Sequence, residues 1–146
     1  MTGRDGVRLS QYWADGMRTL HGIHVHGFPN MFIAQPTQGA NLISNIPHNL
    51  TDAARTIAVT VQHTIGSGMA EVEVTTAWVD LLLSGPGMLP GSPDCTPGYY
   101  NNEGQDPGPR AWLSVGYPQG ATAFFEYIDK WRSSGKFDGL VLRMTQ

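Results

Sequence analysis

The sequence predicts an α/β fold built around one strand–turn–helix unit, and three observations support it. The run Met31–Ala34 is apolar at every position, as in a central strand of a parallel sheet that is covered on both faces. A turn punctuated by Pro36 and Gly39 follows. From Pro47 onwards, apolar residues recur at helical spacing until Gly66-Ser67-Gly68, which predicts one long helix.

The predicted helix carries a single apolar stripe. Pro47 suits the first turn, where its missing N–H costs nothing. We expect such a stripe to be covered, either by the rest of this chain or by a partner. Its members are Leu50, Ala53, Ala54, Ile57, Ala58, Val61 and Ile65.

Residues 1–30 predict an irregular polar segment followed by a strand. Leu9 to Asp15 suit one short helical turn, which Gly16 ends. A strand is predicted next, because apolar residues alternate with histidines until Pro29 stops the ladder. The alternating residues are Ile23, His24, Val25 and His26.

The second half predicts short elements around a long connection. Glu71 to Val74 suits a short strand, and Phe137 to Leu142 suits a last one. Residues 85–120 are rich in Gly and Pro, and a structureless stretch of that length is uncommon in a compact domain. Two helices are predicted beside it. The first helix is capped by Thr75 or Thr76 and carries Trp78, Val79, Leu82 and Leu83. The second helix spans Ala121 to Ser133 and ends at Gly135. Its apolar residues are Phe124, Phe125, Ile128 and Trp131.

Composition excludes several classes of protein. The 146 residues include 9 Lys plus Arg and 12 Asp plus Glu, so there is no basic stripe for nucleic acid. No apolar run is long enough to span a membrane, and the absence of a secretory signal predicts a cytoplasmic protein. The single cysteine, Cys95, excludes an internal disulfide framework. Charged residues reach only 14 %, against a typical quarter, which favours surfaces that lie against something else.

Candidates for catalysis and metal binding are weak. His24 and His26 share a strand face in the predicted pattern, but zinc needs three or four protein ligands, and packing is the simpler explanation. Cys95 lies between prolines, so neither His48 nor His63 makes it a convincing nucleophile. The motifs G-x-S-x-G, G-x-x-x-x-G-K-[ST] and G-x-G-x-x-G are all absent. We therefore predict no catalytic residue and no metal site in this chain.

The strand–turn–helix unit is the best candidate for binding a ligand. Open α/β sheets bind ligands at the carboxyl edge of their strands, where such a turn places backbone N–H groups. The N-terminus of the following helix adds a partial positive charge, which suits a polar or anionic ligand atom.

Several motifs occur in a specific order. Trp13-Ala14-Asp15-Gly16-Met17-Arg18-Thr19 is followed by Gly22 and then by Gly27-Phe28-Pro29-Asn30-Met31-Phe32. Asn45-Ile46-Pro47 and Thr96-Pro97-Gly98-Tyr99-Tyr100-Asn101-Asn102-Glu103-Gly104 come later. In this order the motifs resemble the C-terminal part of the flavin-dependent Baeyer–Villiger monooxygenases, and the resemblance covers nearly the whole chain.

The resemblance implies a fold and a cofactor. Residues 1–68 would be the C-terminal portion of a discontinuous, Rossmann-like FAD-binding domain, with Met31–Ala34 as its closing strand and the long helix behind it. Residues 69–146 would be a loop-rich extension with one or two helices, and residues 84–110 would cover the active site. The flavin would lie near Thr37, Gln38, Gly39, Ala40 and Asn45, and the substrate pocket near Leu42, Ile43 and Ile46.

The resemblance also implies the chemistry of a longer enzyme. Such an enzyme uses FAD and NADPH to insert oxygen next to a ketone. The dinucleotide fingerprints are missing here, so we expect a C-terminal piece that is inactive alone and whose partner is the remainder of the flavoenzyme. Two alternatives stay open: a free-standing small ligand-binding or interaction domain, and a metal-dependent hydrolase that uses His24 and His26.

Overall fold

The computed structural model describes residues 1–34, 38–39, 45–79, 117 and 119–144. Its helices are α1 (Leu9–Tyr12), α2 (Ile46–Gly66) and α3 (Gly120–Ser134), and a 3-10 turn spans Arg4–Gly6. Strands β1 (Glu71–Val74) and β2 (Leu140–Arg143) pair antiparallel, with Glu71 opposite Arg143 and Val74 opposite Leu140. The mixed helix and strand content agrees with the predicted class in its coarse form. The Rossmann-like arrangement stays a prediction.

Two core clusters meet at β2. Phe124, Ile128 and Trp131 line the buried side of α3 and contact Phe137, which confirms the predicted inner face of that helix. A second cluster joins Leu20 to β1 and to the helical residues 76–79; its buried members are Leu20, Val74 and Val79. Leu140 packs against both clusters, so the two form one continuous interior.

The ends of the two long predicted helices are confirmed, whereas α1 ends at Tyr12 and not at the predicted Asp15. α2 has Pro47 in its first turn and ends at Gly66, before Gly68 in the left-handed region. α3 ends at Gly135, whose φ of 65° closes the last turn in a conformation that favours glycine. β1 matches its prediction residue for residue. β2 begins later than predicted, because Phe137 and Gly139 both have positive φ and form a turn.

The predicted strand at residues 21–26 is wrong. His21 and Gly22 have φ of 59° and 74°, and the N–H groups of Ile23 and His24 donate to the Leu20 carbonyl. This is a tight turn, closed by an isolated bridge between Leu20 and His24. Ile23 and Val25 are buried as the alternation suggested, but His24 is buried with them.

Met31–Ala34 forms no strand ladder with any described residue, contrary to the prediction. Phe32 makes an isolated antiparallel bridge with His24, and the Ile33 N–H donates to the Ile23 carbonyl. Ala34 is exposed, so the run is not covered on both faces by the described chain. A central strand needs hydrogen-bonding neighbours on both sides, and among the described residues the 20–24 turn is the one neighbour that bonds to the run.

The apolar stripe of α2 lies mostly on the outside. Ala53 is its one fully buried member, while Leu50, Val61 and Ile65 are exposed. The face that turns inward is built from threonines at helical spacing. The buried residues of α2 are Ala53, Thr56, Thr60 and Thr64.

Part of the predicted second half lies outside the described residues. The helical residues 76–79 include the predicted Trp78 and Val79, whereas Leu82, Leu83, Cys95 and most of the 85–120 connection are not described. None of the helices in the described ranges is long and apolar enough to cross a membrane.

Candidate functional site

The predicted ligand site centres on the turn before α2. Gln38, Gly39, Asn45 and Ile46 are described, and they lie on both sides of the start of the helix. Thr37, Ala40, Leu42 and Ile43 fall outside the described residues.

Gln38 fastens this turn to the N-terminal segment. Its side chain is buried, and its Oε1 accepts a hydrogen bond from the Thr19 hydroxyl. Its Nε2 donates to the Met17 carbonyl over 2.8 Å. Because the amide is engaged at both ends within the chain, its direct effect is to hold the turn in place.

Gly39 connects the same turn to α3. Its carbonyl accepts a hydrogen bond from the Tyr117 N–H at 2.9 Å. The Tyr117 ring stacks on Tyr127, with centroids 5.9 Å apart and planes 10° apart. The Tyr127 hydroxyl in turn lies 3.0 Å from Nε2 of His21. Residues 38–39 are therefore held between the N-terminal segment and α3.

Among the described residues, no side chain caps the N-terminus of α2. Asn45 precedes the helix without capping it, and the first turn holds no acidic residue. The first amides of a helix lack partners within it and carry the positive end of its dipole. This end can therefore donate hydrogen bonds to a polar or anionic group.

His24 and His26 do not converge on a common ligand. His24 lies among rings, with its centroid 5.5 Å from Phe32 and 6.3 Å from Trp131. The His26 ring nitrogens hydrogen-bond the Val74 carbonyl (2.7 Å) and the Thr76 hydroxyl (2.8 Å). Among the described residues, no three His, Cys, Asp or Glu side chains are grouped to hold a metal. The packing interpretation therefore fits these histidines better than a metal site.

Burial keeps two histidines neutral. His21 and His24 are both about 3 % exposed. Burial lowers the pKa of His24 to about 3, and burial together with the nearby His24 and Arg132 lowers the pKa of His21 well below its ordinary value. The nitrogens Nδ1 of His21 and Nε2 of His24 are buried and have no hydrogen-bond partner in the part of the chain that the structure describes.

A buried carboxylate, which the sequence analysis missed, joins the N-terminal segment to the β-hairpin. Glu73 accepts hydrogen bonds from the Gly27 N–H at 2.8 Å and from the Arg143 guanidinium, and Arg4 lies 3.4 Å away. Burial by itself would raise the pKa of Glu73, but Arg143, the Gly27 amide and Arg4 together lower it. The sequence signal was only an acidic residue inside a short alternating strand.

A second missed group fixes α2 against α3. Arg132, on α3, pairs with Asp52 at 2.7 Å and donates to the Thr56 hydroxyl at 2.8 Å. It also pairs with Asp129, one turn back on its own helix. This network explains why the threonine face of α2, and not its apolar stripe, turns toward α3.

The comparison with known proteins identifies relatives along nearly the whole chain. Pentalenolactone D synthase of Streptomyces arenae is 41 % identical over 98 % of this chain and 25 % of its own length. The FAD-binding monooxygenase hmp7 of Hypomyces subiculosus is 37 % identical over 96 % of this chain and 24 % of its own length. Baeyer–Villiger monooxygenase 4 of a Dietzia species is 34 % identical over 95 % and 23 %. No family model matches the sequence.

Solved structures agree in fold. A polycyclic ketone monooxygenase from Thermothelomyces thermophila superimposes with a TM-score of 0.75 and 25 % identity, over 98 % of this chain and 24 % of that one. An oxidized steroid monooxygenase bound to NADP gives a TM-score of 0.74 and 21 % identity, over 99 % of this chain and 26 % of that one. The chain thus spans about a quarter of the length of its relatives. The resemblance to the Baeyer–Villiger and FAD-binding monooxygenases that the motif order predicted is confirmed.

Proposed function

We propose, from this relationship to Baeyer–Villiger-type flavin monooxygenases, that the chain forms one wall of the flavin pocket in such an enzyme. The observation that carries the proposal is a similarity that extends over 98 % of this chain and yet only 25 % of a relative. When bound, FAD would supply the activation of oxygen and NADPH the hydride, for insertion of oxygen next to a ketone. The FAD-binding relative and the NADP-bound structural neighbour support both cofactors.

The residues around the start of α2 are the proposed contacts with the flavin. Residues 37–40 and Asn45 would offer backbone N–H groups at the positive end of the helix. The uncapped N-terminus supports this assignment, because its amides are not taken by a side chain of the first turn. Leu42, Ile43 and Ile46 would border the ketone; of these Ile46 is described, and it is exposed.

The turn at Gln38 and Gly39 would act by holding these amides in position. A preorganised donor costs no reorganisation when charge develops on the group that it contacts. The bonds from Thr19 and Tyr117 to this turn provide such rigidity. In this proposal the chain orients the cofactor and excludes water from one side of it.

We propose that residues 1–68 belong to the FAD-binding domain and that residues 69–146 form an extension packed on it. The pairs of Arg4 with Glu71 (2.7 Å) and with Glu73 (3.4 Å) cross that boundary, so the two parts support each other. A cytoplasmic location stays a prediction.

The test has two arms. In the first arm, the purified chain is mixed with FAD, NADPH and a ketone; we expect no stoichiometric flavin absorbance and no ketone-dependent NADPH consumption. In the second arm, the chain replaces the matching quarter of pentalenolactone D synthase, and we expect the chimera to bind FAD. A folded chimera without flavin would contradict the proposal. A chain that binds no flavin in either arm, but melts cooperatively as a monomer, would favour the free-standing domain.

A further inference from the structure

The outward face of α2 is a long apolar surface that the described chain leaves uncovered. We call it the α2 stripe and define it by four large residues. They form two pairs of positions four residues apart, separated by eleven positions, and all four lie on one side of the helix over about 28 Å. Their exposed fractions are 48 % for Ile46, 40 % for Leu50, 36 % for Val61 and 70 % for Ile65.

The orientation of α2 is fixed by its other face. Thr56, Thr60 and Thr64 are buried at helical spacing, roughly a quarter turn away from the stripe. Arg132 of α3 pairs with Asp52 of α2 at 2.7 Å. Rotating α2 to bury the stripe against α3 would break this ion pair and leave each charge without its partner. The contact with α3 therefore keeps the stripe on the outside of the described chain.

The composition of the stripe indicates an apolar partner. The positions between its four large residues on the same side of the helix are Ala54, Ile57 and Ala58, so no charged side chain interrupts it. A helix that is apolar on an outward face is buried against something else. The partner should therefore present an apolar sheet or helix face of about the same length.

The size of the stripe discriminates between occupants. A strip about 28 Å long and about 10 Å wide has an area of about 300 Å². A stable association of separate chains buries about 800 Å² on each partner. The stripe is therefore too small to hold a second copy by itself. It is large enough for contact within one folded enzyme, where no translational entropy is lost.

We propose that the α2 stripe docks onto an apolar face of the part of the flavoenzyme that this chain does not match. The relatives carry about three quarters of their length outside the matched segment, and that portion is the occupant. The inference rests on the proposed function and adds which face of the chain makes the contact. The threonine face contacts α3 and β1, and the stripe contacts the rest of the enzyme.

The experiment compares adjacent positions on the same helix. Leu50→Asp with Val61→Asp places two charges on the stripe; Thr51→Asp with Gln62→Asp places the same charges on exposed neighbours outside it. Both pairs are made in the isolated chain and in the chimera with pentalenolactone D synthase. In the isolated chain, we expect both pairs to leave the helical circular dichroism unchanged, because all four positions are exposed.

Hydroxyl-radical labelling of Leu50, Val61 and Ile65 then reports the docking directly. We expect labelling to fall severalfold from the isolated chain to the chimera. We also expect the stripe variant of the chimera to lose most of its flavin while the control variant keeps it. Light scattering should show the isolated chain as a monomer; a dimer that Leu50→Asp dissociates would overturn the proposal in favour of a second copy.

The remaining outcomes separate the two proposals. A chimera that binds FAD but labels these residues as strongly as the isolated chain does would overturn the docking surface and leave the proposed function standing. A chimera in which labelling falls but no flavin binds would support the docking surface and overturn the flavin assignment. Equal flavin content in the stripe and control variants would also overturn the docking surface.

Discussion

Acid should destabilise this chain through its two buried histidines, and His24→Leu should remove about half of that effect. His24 is 3 % exposed and lies against Phe32 and Trp131, with its Nε2 unpaired. His21 is equally buried. Neither ring has room for the hydration that an imidazolium requires, so protonation must await unfolding.

The magnitude follows from the two pKa values of His24. The pKa is about 3 in the folded chain, against an ordinary 6.5 when unfolded. Because the folded pKa of this base is depressed, the unfolded state binds more protons below pH 6.5, and stability falls as the pH drops from 6.5 toward 3. At pH 5 the loss for His24 amounts to about 2 kcal/mol. A total stability of about 5–15 kcal/mol makes this loss measurable.

The assay is urea denaturation between pH 7.5 and pH 5, followed by tryptophan fluorescence, to which Trp131 beside both rings contributes. This range lies above the pH at which the lowered pKa of Glu73 comes into play. His24→Leu should weaken the pH dependence by about half. At pH 7.5 it should be neutral or stabilising, because it removes a buried unpaired nitrogen that costs about 1–3 kcal/mol.

His48→Gln is the matched control, since that residue is exposed on α2 and its ring meets the Phe125 ring edge-on, outside the buried core. It should leave the pH dependence unchanged. The same fall in stability from pH 6.5 to 5 in the wild type and in His24→Leu would refute the reasoning.

Three further predictions concern stability and are read from urea midpoints at pH 7.5. Thr60→Val should be neutral or stabilise by up to about 1 kcal/mol, because its buried hydroxyl has no partner among the described residues. Thr56→Val should cost about 1–2 kcal/mol, because its hydroxyl accepts a hydrogen bond from Arg132 of α3. A larger loss for Thr60→Val than for Thr56→Val would contradict this. Gly139→Ala should cost about 2 kcal/mol or more, because its φ is +94° and the added Cβ would lie 2.9 Å from the Trp78 indole. Gly66→Ala, in the last turn of α2, should instead stabilise the chain by about 0.5 kcal/mol. Equal effects of the two substitutions would disprove the clash. Glu73→Gln should cost about 1–2 kcal/mol, because the half-exposed Arg143 loses its carboxylate while Arg4 keeps Glu71. An unchanged midpoint would show that these contacts are not coupled to folding.

Local signals in the sequence were sufficient for the helices and for β1. Apolar residues at a spacing of 3.6, Pro47 in a first turn and Gly135 after a last one act within a few residues of chain. The structure has α2 and α3 within one or two residues of the predicted bounds. The motif order in the first 50 residues was similarly sufficient for the family, since it depends on sequence alone.

The candidate site was only partly predictable. The sequence indicated the turn at Gln38 and Gly39 through its resemblance, but not the bonds that hold it. Those bonds come from Thr19 and Tyr117, which lie far away along the chain. Glu73 was missed for the same reason: its partners Arg4 and Arg143 are separated from it by about 70 residues.

The sequence by itself determined where α2 begins and ends and that one of its sides is apolar. Only the tertiary structure decided which side faces inward. Hydrophobic periodicity shows which side of a helix is apolar, but it does not identify the surface that covers that side. In this chain, the polar face of α2 packs against α3, because Arg132 pairs with Asp52 and the threonines of α2 are buried there. The apolar side of α2 therefore faces outward, where the described chain leaves it uncovered.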